Sequence, residues 1–174
     1  MGCVESYEEN TPEYTDNENN RHVQINIKYG SLGYSYESVF GNYLTSDVTL
    51  VLVQDPYIRS YHQCQNLLRL SELLVKKCPN LRTIQLLTSE DTSCDQAQWL
   101  GKLQSDLSSQ HRVSLTVQFS PTLHDRQIKL SNGWVIKIGR GLDYFKPPRG
   151  KFSLGCHDLD LRPCLATTVD IFRL

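Results

Sequence analysis

VTLVLVQ (48–54) and LRTIQLLT (81–88) are the stretches on which the fold turns. Each is a short apolar run of strand length, closed by a turn-forming segment, Asp55-Pro56 after the first and Ser89-Glu90 after the second. The near-continuous β-branched character of 48–54 predicts a strand buried on both faces of a parallel sheet. Between the two runs, Tyr61 to Lys77 sets Leu67, Leu68, Leu70, Leu73, Leu74 and Val75 at helical spacing; Lys76 and Lys77 suit the negative end of the helix dipole, and Pro79 ends the helix. On the C-terminal side, Ser93 to Gln110 predicts a second amphipathic helix and VSLTVQF (113–119) a further strand. On the N-terminal side, HVQINIKYG (22–30) alternates Val23, Ile25 and Ile27 with polar residues, as a half-buried strand does, and Ser35 stands as the N-cap of a short helix with Tyr36, Phe40, Tyr43 and Leu44 facing inward. The β-α-β-α-β-α-β order predicts an α/β fold with a largely parallel sheet flanked by helices.

After Pro121 the pattern changes. RQIKL and WVIKIG flank Ser131-Asn132-Gly133, a hairpin signal. A two-residue loop would mix apolar and charged side chains on each face. A three-residue loop with Gly133 at positive φ pairs Leu130 with Trp134, so that Ile128, Leu130, Trp134, Ile136 and Ile138 share one face and Gln127, Lys129 and Lys137 the other. The last strand is expected at TTVDIF (167–172), making the sheet mixed.

The 174 residues divide into an acidic tail and a basic body. Residues 1–20 hold six acids and no lysine or arginine, which leaves eighteen bases against thirteen acids in the rest. The tail is too polar to offset its ordering entropy and is expected to be disordered, with residues 21–174 forming the domain. No apolar run reaches the length of a membrane span, and no secretory apolar segment follows Met1. The six cysteines form no C-x-x-C pair, so free thiols in a reducing, cytoplasmic setting are expected, with no metal site and no cofactor.

Three constellations could carry function. His124-Asp125-Arg126 stands at the hairpin entry, where His124 and Arg126 share a face of an extended chain. Its spacing resembles the H-x-K-x4-D…G-S-x-N signature of phospholipase D enzymes, in which a histidine attacks phosphorus and the lysine and asparagine stabilise charge on phosphoryl oxygens. Here Arg126 takes the lysine position, Ser131 the aspartate position, and Ile138-Gly139-Arg140-Gly141-Leu142 carries no Ser or Asn at the second motif. Arginine still binds phosphate, so a vestigial phosphate pocket at His124 and Arg126 without catalysis is expected; the plain alternative is a polar residue at a strand start. The second constellation is the run Arg126, Lys129, Lys137, Arg140, Lys146, Arg149 and Lys151, with Asp143 as its lone acid. Several members fall on one outward face, and Tyr144 and Phe145 sit beside them, a pattern that suits the interface of an acidic membrane. Lys129, Lys137, Arg140, Lys146, Arg149 and Lys151 are the expected phospholipid contacts. The third is MGCVES, which matches an N-myristoylation signal at Gly2 with Cys3 as a palmitate acceptor, although the acids behind it oppose anionic lipid.

DPYIR (55–59), LLTS (86–89), NGWVIKIGRGLDYFK (132–146), FSLG (152–155), LRPC (161–164) and TTVDIF (167–172), together with HDR (124–126), resemble the C-terminal domain of the MIT domain-containing protein 1 family over about residues 22–172. The resemblance implies a phospholipase-D-like fold, a homodimer, binding of acidic phospholipids including phosphoinositides, no phospholipase activity, and a role in ESCRT-linked abscission during cytokinesis at endosome and midbody membranes. In that family ESCRT-III tails are bound by an N-terminal three-helix MIT domain. Residues 1–20 are too short and too polar to supply one, which makes the ESCRT-III partnership doubtful. The expected function is thus a non-catalytic, peripheral membrane adaptor. The alternative from another class is a phosphodiesterase of the phospholipase D type acting on phospholipid or nucleic acid, with a dimer pairing two copies of His124. Nucleic acid binding through the same cations is the less favoured third.

Overall fold

A computed structural model describes residues 22–174; the tail expected to be disordered, and Gly2 and Cys3 with it, lie outside the described residues. The elements follow the expected order. β1 is His22–Ile27, α1 Tyr36–Phe40, β2 Leu50–Gln54, α2 Tyr61–Lys77, β3 Thr83–Thr88, α3 Gln96–His111 and β4 Ser114–Phe119. The hairpin strands β5 (Gln127–Leu130) and β6 (Trp134–Ile138) come next, and β7 (Thr167–Arg173) closes the fold. Local chemistry sets the boundaries. The Ser35 hydroxyl accepts from the Ser38 N–H and caps α1, and the Gln63 side chain reaches back to the Ser60 N–H at the head of α2. Gly133 has φ +96°, and its N–H bonds to the Leu130 carbonyl at 3.0 Å, closing the three-residue hairpin loop. The register Ile128↔Ile136 and Lys129↔Val135 is the one the apolar pattern demands.

The seven strands form one mixed sheet in the order β1-β7-β6-β5-β2-β3-β4. Two expectations need correction. The sheet is not largely parallel: only β2–β3 and β3–β4 pair in parallel, and the other four neighbours are antiparallel. The β-α-β alternation misled because β1 does not join β2. It lies at the far edge, beside β7, and the hairpin pairs with β2 instead.

Nor do helices cover both faces. β2, β3 and β4 are wound in one direction, and crossovers of one hand then put α2 and α3 on the same side. Leu67, Leu70 and Leu74 of α2, Leu100, Leu103 and Leu107 of α3 and Tyr36 and Phe40 of α1 join one core with Ile25, Val51, Ile84, Ile136 and Ile171 of the sheet. On β2, Val51 and Val53 are buried, whereas Leu52 is half-buried and Leu50 exposed. The run that reads as doubly buried is therefore half-buried, and among the described residues no helix covers the opposite sheet face, which carries Lys129, Lys137 and Phe172. The cysteines among the described residues are free, and burial pushes the thiols of Cys64, Cys78 and Cys164 up to about 11.

Candidate functional site

β1, β2, β3, β4 and β6 all end at the same edge of the sheet, and β5 and β7 begin there. The connections 28–35, 55–60, 89–95, 120–126 and 139–166 consequently gather at one end, outside the carboxyl ends of the parallel strands, where α/β sheets commonly build sites. Asp55, directly after β2, fastens this end. It is 2% exposed and accepts from the Tyr57 and Leu142 N–H groups, each at 2.9 Å. Burial raises its pKa above the ordinary 3.8, while those two hydrogen bonds and the Arg126 charge pull the other way. Gly141 turns the chain beside it at φ +64°, and a Cβ there would run into the Asp55 carboxylate. Asp55 did not stand out in the sequence; its signal was a strand ending in Asp-Pro, which reads as a simple turn.

His124 is exposed, in a cleft of about 420 Å³ that also takes in Asp125, Arg126, Lys137 and Asp170. The structure thus brings His124 and Arg126 together, as expected, and adds Lys137 from the uncovered sheet face. Arg126 is already engaged: Nη1 donates to the Gly139 carbonyl at 2.7 Å, the guanidinium lies 4.7 Å from the Tyr57 ring centroid, and buried Nε has no partner. Ser131, at the aspartate position of the motif, is at the opposite end of the sheet, where its Oγ accepts from the Thr49 N–H at 2.9 Å. No carboxylate reaches His124 from that position. In the second motif region, Arg140 spends Nε on the Ala166 carbonyl at 3.0 Å.

The six expected lipid contacts fall into two groups. Lys129 and Lys137 stand on the uncovered sheet face, with Lys137 Nζ 5.7 Å from the Phe172 ring. Arg140, Lys146, Arg149 and Lys151 belong to the long β6–β7 connection, and Lys146 Nζ lies 4.4 Å over the Tyr29 ring. Among the described residues, none of the six forms an ion pair; Lys77–Glu37 is the pair that uses a lysine or arginine. Asp143, the lone acid of the run, faces away from it, to His62 and Gln63.

The aromatic partners are corrected. Tyr144 and Phe145 are core residues, 0% and 7% exposed; the Tyr144 hydroxyl donates to the Tyr34 carbonyl and its ring stacks on Phe145 at 4.3 Å. The most exposed apolar side chains of this connection are Phe152 and Leu154, which sequence reasoning missed. Their signal was KFSL set between Pro-Pro-Arg-Gly and Gly, apolar residues in a loop with no periodicity to bury them. Among the described residues no helix is long and apolar enough to cross a membrane, and no cluster of three potential metal ligands occurs.

A two-layer α/β domain with a mixed sheet is consistent with a phospholipase-D-like domain, the class to which the family match assigns it. The model of the family described as the phospholipase D-like domain at the C-terminus of MIT matches residues 33–173. The chain is 51% identical over 171 residues to MIT domain-containing protein 1 of Mus musculus, the match covering 95% of this chain and 68% of the mouse protein. The chain belongs to the MIT_C family.

Proposed function

We propose that this domain docks, without catalysis, on acidic phospholipid surfaces, phosphoinositides included, as a peripheral membrane adaptor. The observation that supports the reading is the set of lysines and arginines at the loop end, above all Lys146, Arg149 and Lys151, which form no ion pair among the described residues. Cations whose charge is not met within the protein are free to meet phosphate, and each near an anionic leaflet contributes about 1 kcal/mol. The engagement of Arg126 by Gly139 and Tyr57, and the use of Ser131 at the far hairpin, support a phosphate cleft that holds an anion rather than cleaving one. A homodimer fits the same reading, since two cationic ends on one bilayer multiply avidity without new contacts. The proposal extends, on the family resemblance, to ESCRT-linked membrane remodelling in cytokinesis at the cytoplasmic faces of endosome and midbody membranes, without a direct ESCRT-III contact by this domain.

The deciding experiment is parallel titration of phosphatidylserine- and phosphoinositide-containing vesicles, neutral vesicles and duplex DNA. Binding is expected to the acidic vesicles only and to weaken as salt rises. Equal or tighter binding to DNA would move the assignment to nucleic acid. Turnover of a phosphodiester that disappears in His124→Ala would make the domain an enzyme.

A further inference from the structure

Phe152 and Leu154 are 105% and 80% exposed, the most exposed large apolar side chains of the β6–β7 connection. They are not on a loose excursion. Before them, the Lys146 N–H bonds to the Pro163 carbonyl at 2.9 Å, and Phe145 bridges Cys164. After them, buried Arg162 donates through Nε to the Gly155 carbonyl at 2.5 Å and through Nη2 to the Cys156 carbonyl at 2.8 Å. Gly155 adopts φ +85° against the Leu161 carbonyl, which a Cβ would meet at 2.6 Å. Within the tip, the Ser153 hydroxyl bonds to the Gly150 carbonyl and the Cys156 N–H to the Ser153 carbonyl. The turn is thus closed at its base by an arginine and folded by its own hydrogen bonds, and it presents Phe152 and Leu154 outward. Such a presentation costs hydrophobic burial that the fold does not recover internally, the ordinary mark of an interaction surface.

The surroundings identify the occupant. Arg149 and Lys151 precede Phe152 in sequence, and Lys146 stands at the loop base. The neighbouring 28–33 loop runs along the same 160–164 segment, through Gly30 N–H to Cys164, Cys164 N–H to Ser31 and Gly33 N–H to Asp160, and carries exposed Tyr29 and Leu32. Apolar tips ringed by cations match a lipid interface, where phosphates meet the charges and acyl chains the aromatic.

Resting on the membrane reading above, we infer that the 149–154 loop is an insertion wedge: Phe152 and Leu154 enter the acyl region of an anionic bilayer while Lys146, Arg149 and Lys151 hold its headgroups. The wedge makes binding partly hydrophobic, so part of it survives salt that screens the cations.

The test places a reporter at the tip. The Phe152→Trp variant is mixed with phosphatidylserine vesicles whose acyl chains are brominated, and wild type, with its own Trp99 and Trp134, serves as the reference. Phe152→Trp is expected to shift to the blue and be quenched on these vesicles, and wild type to change little. Phe152→Ser with Leu154→Ser is expected to weaken vesicle affinity roughly tenfold or more, to remove the salt-resistant fraction, and to leave the thermal midpoint unchanged. A Phe152→Trp protein that sediments with the vesicles yet is neither shifted nor quenched overturns the wedge and leaves the cationic reading standing, with the loop kept for a protein partner. A wild-type protein that fails to sediment with phosphatidylserine vesicles at low salt overturns the membrane reading and the wedge together.

Discussion

The two lysines of the sheet face and the three cations of the 146–151 loop belong to one run in the sequence but to different surfaces. Lys129 and Lys137 are held by strand register, two residues or one cross-strand step from their neighbours, and sit among Gln127, Asp170 and Phe172 on the sheet face, Lys137 at the margin of the His124 cleft. Lys146, Arg149 and Lys151 leave the sheet on a connection anchored at Asp55, Arg162 and Pro163 and stand beside exposed apolar groups. The difference teaches that net charge along a sequence does not define a patch. A lysine on a flat, partly polar sheet face can be solvated in place, whereas cations beside protruding apolar tips have a reason to meet a charged interface.

The largest effect expected from that contrast is on the loop. Lys146→Glu, Arg149→Glu and Lys151→Glu together are expected to lower affinity for phosphatidylserine vesicles at least about a hundredfold, since each cation near the surface is worth about 1 kcal/mol and each reversal adds repulsion. Vesicle co-sedimentation at low salt measures it. A triple variant that still binds within about threefold of wild type would erase the distinction between the two groups.

Next comes the anchor. Gly141→Ala places a Cβ against the Asp55 carboxylate in a φ +64° backbone, at a cost of about 3 kcal/mol. Denaturant unfolding should show the loss. Amide exchange should show it concentrated in 139–166, with the β5–β6 hairpin protected as before. Uniform loss of protection would mean that the loop end and the sheet unfold as one unit.

The sheet pair should matter less. Lys129→Glu with Lys137→Glu is expected to weaken vesicle binding no more than about tenfold, because Phe172 and Leu52 on that face are half-buried and do not protrude as Phe152 and Leu154 do. If the uncovered face meets a second copy of the chain, the same variant shifts the monomer–dimer balance in sedimentation velocity with little change in vesicle binding. A loss equal to that of the loop triple would merge the groups again.

Periodicity in the sequence was enough to place the three α-helices and seven strands of the described residues, because the core positions on those elements recur at i, i+3, i+4 on α2 and α3 and alternate on most strands. It was also enough to choose the three-residue turn at Gly133, since the other register would bury Lys129 and Lys137. Periodicity says nothing about which strands become neighbours, and the parallel sheet assumed for β1 failed there. It could not show that Val48–Gln54 is covered on one side only, because a half-buried strand with Leu50 and Leu52 on its open side has the same composition as a doubly buried one. At the site, His124 and Arg126 were legible as a motif. Tyr144 and Phe145 were misplaced and Phe152 and Leu154 overlooked, because exposure inside an irregular connection depends on tertiary anchors such as Arg162–Gly155 that leave no local pattern.

The smallest effect is a pair of opposed titrations at the loop end. Asp55 is buried, and burial raises its pKa above 3.8, although hydrogen bonds from Leu142 and Tyr57 and the charge of Arg126 offset part of the rise. The folded protein therefore binds this proton more tightly than the unfolded chain. Its contribution to stability is fully present below pH 3.8 and is lost as pH rises through the raised folded value. Asp160 lies on the 139–166 connection, at the same end of the sheet, and behaves in the opposite sense. Burial works against its charge, but hydrogen bonds from the Ser35 N–H and from the Ser35 and Ser38 hydroxyls outweigh it and lower the pKa. Its contribution is present above 3.8 and is lost as pH falls through the lowered folded value. In wild type the two partly cancel. Asp160→Asn removes the acid-side loss, so the slope of unfolding free energy against pH between about pH 3 and 5 should become more negative, with stability rising toward acid. Carboxyl-carbon NMR assigns the two midpoints directly, Asp55 above 3.8 and Asp160 below it. An Asp55 midpoint at or under 3.8 would mean that water or Arg126 reaches the carboxylate, and the anchor that holds the cationic loop apart from the sheet face would be softer than its burial implies.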